Sequence, residues 1–202
     1  MTLSLVRHGR TDANASGLLQ GHLDRPLDEL GREQAAATGR TLAAAVPPIT
    51  RIISSPLRRT RETADAIAAA CGAPVTIDER WIELDYGEYD GMPLSQVPAE
   101  LWNAWRADTG YAPPGGESLR ALAERVSAAC EDLVADARDQ DVVVVSHVSP
   151  IKAAVAWALG VDVSISWRTH LQPASITCVG VGRFGPVLRT FNVTSHLGPL
   201  GT

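Results

Sequence analysis

Three short apolar segments of the chain are each followed directly by residues that can bind an oxyanion. In chain order, these residues are Arg7-His8-Gly9, Ser54-Ser55-Pro56-Leu57-Arg58-Arg59, and Ser146-His147. Guanidinium forks bind a tetrahedral anion bidentately, and an imidazole can act as a nucleophile near neutral pH. Each cluster alone fits a packed histidine or a solvated helix face, but the coincidence of all three favours a phosphate site.

Alternating strand and helix signals predict the scaffold that positions these clusters. Strands are expected at Leu3–Val6, Ile52–Ile53, Val75–Ile77 and Val142–Val145, with a late hairpin of Ser175–Val181 and Val187–Val193 around the turn Gly182–Gly185. Helices are expected at Gly31–Val46, Leu57–Cys71, Glu100–Ala107, Glu117–Arg138 and Ile151–Leu159. This order predicts an α/β fold, a three-layer αβα sandwich whose mostly parallel central sheet has helices on both faces. Ligands of such sheets bind beyond the carboxyl ends of the strands, where all three clusters would meet.

Composition excludes several classes of protein. Of the 202 residues, 45% are hydrophobic, and 18 basic against 23 acidic side chains give a net charge of −5. These values are typical of a globular chain and argue against a nucleic-acid binder held by bulk charge. No apolar run approaches the roughly 18 residues of a membrane span, and the N-terminus does not resemble a signal peptide. Cys71, Cys130 and Cys178 are odd in number and far apart, so we expect reduced thiols in a cytoplasmic protein.

The basic residues are almost all of one kind. Seventeen of the 18 are arginine, and Lys152 is the single lysine. Arginine prevails where planar recognition of phosphate or carboxylate matters, although genomic codon bias explains the same imbalance in a chain this rich in Ala, Gly and Pro. The composition alone leaves both interpretations open.

Six ordered blocks of the chain resemble the histidine phosphatase superfamily, in its phosphoglycerate mutase-like branch. The blocks are Leu5 to Asn14, then Gln20-Gly21 with Asp24-Arg25-Pro26-Leu27 followed by Gly31, Ser54 to Ala64, Glu83 to Gly91, Pro114 to Ser118, and Val144 to His147. The resemblance spans most of the chain. It implies a phosphoglycerate mutase-like fold and one domain over residues 1–202, with a loop-rich cap segment around residues 86–116.

The resemblance also implies catalytic roles. His8 would attack phosphorus and become a phosphohistidine, with its other ring nitrogen held by a backbone carbonyl of the following loop. Arg7, Arg59 and His147 would surround the phosphoryl oxygens, and Glu83 would act as general acid and base. Arg58 is expected to face solvent, and Glu117 is the reserve acid. No metal and no cofactor is expected, because phosphoryl transfer through histidine needs neither.

Further phosphate contacts are expected from the loops around this centre, namely from Asn14, Gln20 and Gly21. Two positions depart from the family pattern. Arg10 replaces the usual Glu or Gln and predicts a more cationic pocket mouth. Val148 replaces the usual Gly after the second histidine, where its backbone amide still offers a donor to phosphate.

Three functions remain open at this point. A phosphatase acting on a small phosphorylated metabolite is favoured, because Arg106 is the only cation between Glu88 and Gly116, whereas mutases of the family carry a basic segment there. The alternatives are phosphoglycerate mutase-type transfer and a non-catalytic module that recognises phosphate. Trp102, Trp105 and Tyr111 fit either a pocket lining or a local core. No nucleic-acid or membrane partner is expected, and a homodimer is compatible with the sequence.

Overall fold

The computed structural model describes residues 2–45, 47–136 and 140–201, and in this part of the chain six strands form one sheet. The strands are β1 (Thr2–Arg7), β2 (Arg51–Ser54), β3 (Val75–Ile77), β4 (Val142–Ser146), β5 (Ile176–Gly182) and β6 (Gly185–Val193). Their order across the sheet is β3-β2-β4-β1-β5-β6. The first four strands are parallel, whereas β5 and β6 form an antiparallel hairpin at one edge. The predicted mostly parallel sheet and the late hairpin are confirmed.

Helices connect the strands. In the described residues they are α1 (Asp12–Ala15), α2 (Glu29–Ala43), α3 (Arg58–Cys71), α4 (Ala99–Ala107), α5 (Leu119–Asp136) and α6 (Val148–Leu159). Short 3₁₀ turns cover Glu79–Trp81, Gly87–Tyr89, Leu94–Gln96, Val163–Arg168 and Ser195–Leu200. The predicted helix ends at Val46 and Arg138 lie outside the described residues. None of the described helices is long and apolar enough to cross a membrane.

Two helix boundaries correct the sequence prediction. The short helix α1 was not predicted, because four residues are too few to show a helical period. Helix α6 begins at Val148, three residues before the predicted start at Ile151. Pro150 is accommodated in the first turn of α6, where its missing N–H would have no intrahelical partner in any case. The earlier start places the N-terminus of α6 directly after His147.

The sheet separates two cores, as expected for a three-layer sandwich. Alternate residues of β1 and β4, such as Leu5 and Val144, pack on one face against the apolar side chains of α5 and α6. Val143 and Val145 point to the other face, where Ile67 of α3 and neighbours from α2 pack against them. All five residues of β4 are buried, so the central strand is covered on both sides.

The carboxyl ends of β1, β2 and β4 lie at the same edge of the sheet. Arg7 is in register with Ser146, and Ser54 is in register with Val145. Pairing continues past the strand ends, since the His8 N–H donates to Ser146 O at 3.0 Å. The predicted meeting of the three clusters therefore rests on backbone hydrogen bonds.

Two glycines allow the loop after β1 to pack against the start of α2. A Cβ on Gly9 would lie 2.3 Å from Gly31 O, and a Cβ on Gly31 would lie 2.0 Å from Arg10 O. Neither separation is physically available to a side-chain carbon. Asp28 caps α2 by accepting the Gly31 N–H at 2.7 Å, which fixes the helix at this distance from the loop. The backbone next to His8 therefore depends on glycine at both positions.

We predict that Gly31→Ala destabilises the protein although alanine favours helix. Overpacking against the Arg10 carbonyl should outweigh the gain in helix propensity and lower the free energy of unfolding by about 2 kcal/mol. Urea unfolding measures the effect. Gly182→Ala is the control, because its Cβ would meet nothing within 4 Å. Equal unfolding midpoints for the two variants would contradict the close approach.

Candidate active site

A cavity of about 770 Å³ opens beyond the ends of β1 and β4. Seven of the ten predicted site residues line it, namely Arg7, His8, Arg10, Asn14, Gln20, Glu83 and Val148. The other three, Gly21, Arg59 and His147, are not part of this lining. Arg59 and His147 are fully buried. The structure therefore places seven of the predicted site residues in the cavity wall and three outside it.

His8 is held through one ring nitrogen, while the other, Nε2, has no hydrogen bond to the described residues. Its side chain is 3% exposed, and its Nδ1 lies 2.7 Å from Gly9 O, as expected for a backbone carbonyl of the following loop. A carbonyl only accepts, so Nδ1 carries the proton and Nε2 keeps its lone pair. Burial, with further contributions from Arg59 and Arg7, holds the pKa of His8 well below the usual value of 6.5. The ring is neutral at neutral pH, as a nucleophile requires.

His147 has the opposite tautomer. Arg59 Nε donates to its Nδ1 at 3.1 Å, so the proton lies on Nε2, which donates to Ser55 Oγ at 2.7 Å. Burial, followed by Arg59 and the other nearby cations, keeps the pKa of His147 well below 6.5. The ring centroids of His147 and His8 are 5.2 Å apart. Both ring nitrogens of His147 thus have hydrogen-bond partners in the protein. Its expected contact with phosphoryl oxygens stays a prediction, and it requires the hydrogen bond from Nε2 to Ser55 Oγ to break.

The two arginines differ in what they have left to offer a ligand. Arg59 is fully buried, and its terminal nitrogens donate to Leu23 O at 2.9 Å and Gly21 O at 2.8 Å, in addition to the bond with His147. Arg7 donates through Nη1 to Leu171 O at 2.6 Å, while its buried Nε has no partner among the described residues. Burial lowers the pKa of both to about 10. Arg7 lines the cavity and is the better placed cation for an anion.

Glu83 reaches the site from a loop 65 residues distant in sequence from α6. Its carboxylate accepts the N–H of Val148 at 3.1 Å through Oε2, and the N–H of Ser149 at 3.1 Å and of Leu84 at 2.8 Å through Oε1. The N-terminus of a helix favours an acidic group. The Val148 amide that was expected to bind phosphate therefore contacts Glu83 in this structure, and its phosphate contact stays a prediction.

The backbone of Glu83 is held as firmly as its side chain. His22 Nε2 lies 2.9 Å from Glu83 O, and Arg125 Nη2 donates to the same carbonyl at 3.3 Å. Arg125 also forms a bidentate ion pair with Glu117, with both N···O distances at 2.8 Å. Glu117, the reserve acid, does not line the cavity; it orients the arginine that holds Glu83.

Two of the residues expected in the surrounding loops make contacts that the sequence did not reveal. Arg10 lines the cavity, but its Nε pairs with Asp28 Oδ2 at 2.7 Å, so it adds less positive charge at the mouth than predicted. The Gly21 N–H donates to Asp90 Oδ1 at 2.7 Å, and Gly21 is not part of the lining. Sequence spacing cannot show that a neutralising carboxylate from another loop will be adjacent.

Asn14 and Gln20 do lie in the cavity wall. Asn14 Oδ1 accepts the Thr11 N–H at 3.1 Å and completes a capping box around α1, so this side chain also positions its own loop. Gln20 Oε1 accepts from Thr11 Oγ1 at 2.9 Å, which leaves its Nε2 without a partner among the described residues.

The far end of the cavity is aromatic. Trp102 and Trp105 of α4 line it together with Trp167, whereas Tyr111 does not. Trp105 is also 1% exposed and packs in a local core with Leu101 and its neighbours. The two expectations for these tryptophans, pocket lining and local core, therefore both hold.

Several lining residues were not identified from the sequence, namely Tyr86, Ser149, Lys152, Trp167 and Gln172. Lys152 carried a signal, because it follows Val148 by one helical turn on the same face of α6. Trp167 lies in a 3₁₀ turn, where no periodicity marks the buried face. Among the described residues, no three His, Cys, Asp or Glu side chains group in a way that would hold a metal ion.

An αβα sandwich with a neutral histidine, a free guanidinium edge and a carboxylate at its strand ends defines a site for a small oxyanion. A family model of the histidine phosphatase superfamily (branch 1) matches residues 3–194. The chain therefore belongs to this superfamily.

Individual relatives support the same assignment. Glucosyl-3-phosphoglycerate phosphatase of Mycolicibacterium vanbaalenii is 40% identical over 171 residues, which cover 80% of this chain and 75% of the relative. Phosphoserine phosphatase 1 of Hydrogenobacter thermophilus is 36% identical over 200 residues, 97% of this chain and 94% of the relative. The solved structure of a mycobacterial glucosyl-3-phosphoglycerate phosphatase in complex with VO3 matches with a TM-score of 0.86 at 33% identity, covering 96% of this chain and 99% of that one.

The buried imidazoles predict that acid destabilises the fold. Because the pKa values of His8 and His147 are lowered in the folded protein, the unfolded chain binds more protons below about pH 6.5. The free energy of unfolding should then fall by up to about 1.4 kcal/mol per pH unit for each ring. Urea unfolding between pH 7.5 and pH 5 measures this slope.

Substitution of single histidines tests whether the buried rings cause this pH dependence of the free energy of unfolding. His147→Gln should reduce it, whereas His170→Gln, which removes an exposed imidazole, should leave it as in the unmodified protein. An unchanged slope in His147→Gln would mean that this ring is not held neutral by the fold.

Proposed function

We propose that the protein is a phosphatase that hydrolyses a small phosphomonoester through a phosphohistidine on His8. The observation that carries this proposal is the free Nε2 of a neutral His8, fixed by the contact from Nδ1 to Gly9 O in a cavity that also contains Arg7 and Glu83. A neutral imidazole is a good nucleophile, and a covalent intermediate divides one difficult displacement into two easier ones.

In the first step, His8 Nε2 attacks phosphorus and the ester P–O bond breaks. Glu83, in its protonated form, donates its proton to the departing alkoxide. In the second step, water attacks the phosphohistidine, Glu83 takes up one proton of that water, and the N–P bond breaks to release inorganic phosphate. Each proton and bond is thus accounted for by His8, Glu83 and water, and the scheme uses no metal and no cofactor.

Charge on the phosphoryl oxygens is stabilised by fixed donors. Arg7 supplies the unpartnered Nε, and Arg59 adds a buried positive charge behind His147. Preorganised donors in a pocket shielded from water act more strongly than in solvent. Further phosphate contacts would come from the side chains of Asn14 and Gln20. The amides of Gly21 and Val148 would contribute only after their hydrogen bonds to Asp90 and Glu83, respectively, are broken.

The wall opposite the nucleophile favours hydrolysis over mutase-type transfer. We propose that residues 86–116 act as the cap of a single domain, and they line the cavity with Tyr86, Leu94, Trp102 and Trp105. Arg106, the cation of this segment, instead lies 5.8 Å from the Trp167 ring centroid. A cap without cations in the lining has nothing to retain a bisphosphate. An intact nucleophile likewise disfavours a purely non-catalytic module.

The names of the relatives support a small phosphorylated metabolite as substrate, since they act on glucosyl-3-phosphoglycerate and phosphoserine. We further propose a cytoplasmic enzyme, because its three cysteines are free, as reducing conditions maintain. Two predictions stay untested, namely that the protein has no nucleic-acid partner and that it can form a homodimer.

The first test is hydrolysis of p-nitrophenyl phosphate without added metal. His8→Ala should lower kcat by at least about a thousandfold, because the covalent step is lost. His196→Ala, at a histidine outside the cavity lining, is the matched control and should retain activity. Acid quenching should trap an acid-labile phosphate in the unmodified protein only. Equal turnover by His8→Ala would contradict the proposed nucleophile.

The second test concerns Glu83. Glu83→Gln should lower kcat/KM at least about a hundredfold for an alkyl phosphate, whose alkoxide needs a proton, and much less for p-nitrophenyl phosphate. Glu117→Gln is the comparison, since this acid pairs with Arg125 outside the cavity lining, and any loss should be equal for both substrates. A Glu83→Gln loss independent of the leaving group would rule out its role as the acid.

A further inference from the structure

The single lysine of the chain lies in the wall of the active-site cavity. Lys152 follows Val148 by four residues and Ser149 by three on α6, so its side chain shares the helix face of the two amides that hold Glu83. Four residues of helix rise by about 6 Å. Lys152 therefore lies about one helical turn beyond the amides that hold the proposed general acid, in the wall of the same cavity.

Lys152 has more hydrogen-bonding capacity than its protein contacts use. Its Nζ donates to Ser166 O at 2.9 Å, and an ammonium group has three donors. No carboxylate of the described residues lies within ion-pair distance of it. Burial lowers the pKa of Lys152, Glu83 acts in the opposite direction, and the charge of Arg7 adds to the lowering. A partly buried ammonium without a counter-ion is a costly arrangement that a bound anion would relieve.

The charges around the cavity leave Lys152 available to the substrate. Arg10 is paired with Asp28, and Glu83 accepts three backbone N–H groups. Among the described lining residues, Arg7 and Lys152 are then the arginine and lysine side chains without an ion pair. Arg7 adjoins the nucleophile and is assigned to the phosphoryl group. Lys152 lines the same cavity, and its Nζ is held at Ser166 O, so it is available to a second anionic group of the substrate.

We infer that Lys152 binds a carboxylate on the leaving group, so that the enzyme selects phosphate esters of hydroxycarboxylic acids over those of neutral alcohols. This inference rests on the proposed function. A carboxylate fits better than a second phosphate, because one ammonium balances one negative charge and a phosphate near neutral pH carries up to two. Lys152 is thus a residue that determines specificity, and it takes no part in the bond-breaking steps.

Matched substrates that differ in the carboxylate test the inference. The first pair is 3-phosphoglycerate and glycerol 3-phosphate, and the second is O-phosphoserine and O-phosphoethanolamine. The unmodified enzyme should prefer the acid of each pair by about tenfold to one hundredfold in kcat/KM, the usual range for a hydrogen bond to a charged group. Since the contact exists before and during the reaction, the difference should appear mainly in KM.

Substitutions of Lys152 test whether its ammonium group causes the preference for the carboxylate-bearing substrates. Lys152→Gln should abolish the preference for the acid of each pair, and Lys152→Arg should restore most of it. Arg120→Gln is the control, because it removes the same charge from an exposed ion pair with Asp108 and should leave the preference unchanged.

Other results would overturn the inference. No preference in the unmodified enzyme, or an unchanged preference in Lys152→Gln, would exclude carboxylate recognition by Lys152. Equal losses with both substrates of a pair would show that Lys152 only anchors α6 to Ser166.

A binding measurement separates failure of this inference from failure of the proposed function. Calorimetry on His8→Ala compares the affinities for 3-phosphoglycerate and glycerol 3-phosphate without turnover, alone and combined with Lys152→Gln. If p-nitrophenyl phosphate is not hydrolysed by the unmodified protein, the proposed function fails, and the calorimetry alone decides whether Lys152 recognises the carboxylate. If it is hydrolysed and the affinities are equal, only the inference fails.

Discussion

The site depends on keeping two imidazoles neutral while they are buried beside guanidinium groups. Burial and the charges of Arg7 and Arg59 act in the same direction on His8 and His147, since both penalise a protonated ring. The Gly9 carbonyl and Arg59 Nε then select opposite tautomers in the two rings. The charges proposed to attract phosphate thus also keep the proposed nucleophile, His8, unprotonated.

Helix α6 joins the remaining parts of the site to this centre. Its first amides fix the Glu83 carboxylate, and His22 and Arg125 hold the backbone carbonyl of the same residue. Glu83 is therefore positioned by contacts from three separate parts of the chain, although it lies on a loop. Such support is what a proton donor needs, because proton transfer requires hydrogen-bonding distance to the reacting oxygen.

The sequence predicted the elements that obey simple periodic rules, and it failed where long-range contacts decide. The strand ends, the parallel sheet and the grouping of Arg7, His8 and Glu83 followed from buried runs, topology and family blocks. The pairing of Arg10 with Asp28 and of the Gly21 amide with Asp90 did not, because each depends on a loop that approaches only in the folded state. The early start of α6 was not predicted, and it is compatible with Pro150 because proline is tolerated in the first turn of a helix.

The arginine-rich composition of the chain says little about the charge of its cavity. Most of the 17 arginines lie outside the cavity lining, whereas the single lysine lies within it. A net charge of −5 describes the protein as a whole, but the cavity lining contains more cations than acids. Because Arg7, Glu83 and Lys152 line one cavity, we expect a substrate with two anionic groups to be aligned with its ester oxygen near Glu83. The orientation needed for protonation of the leaving group then follows from the placement of charge.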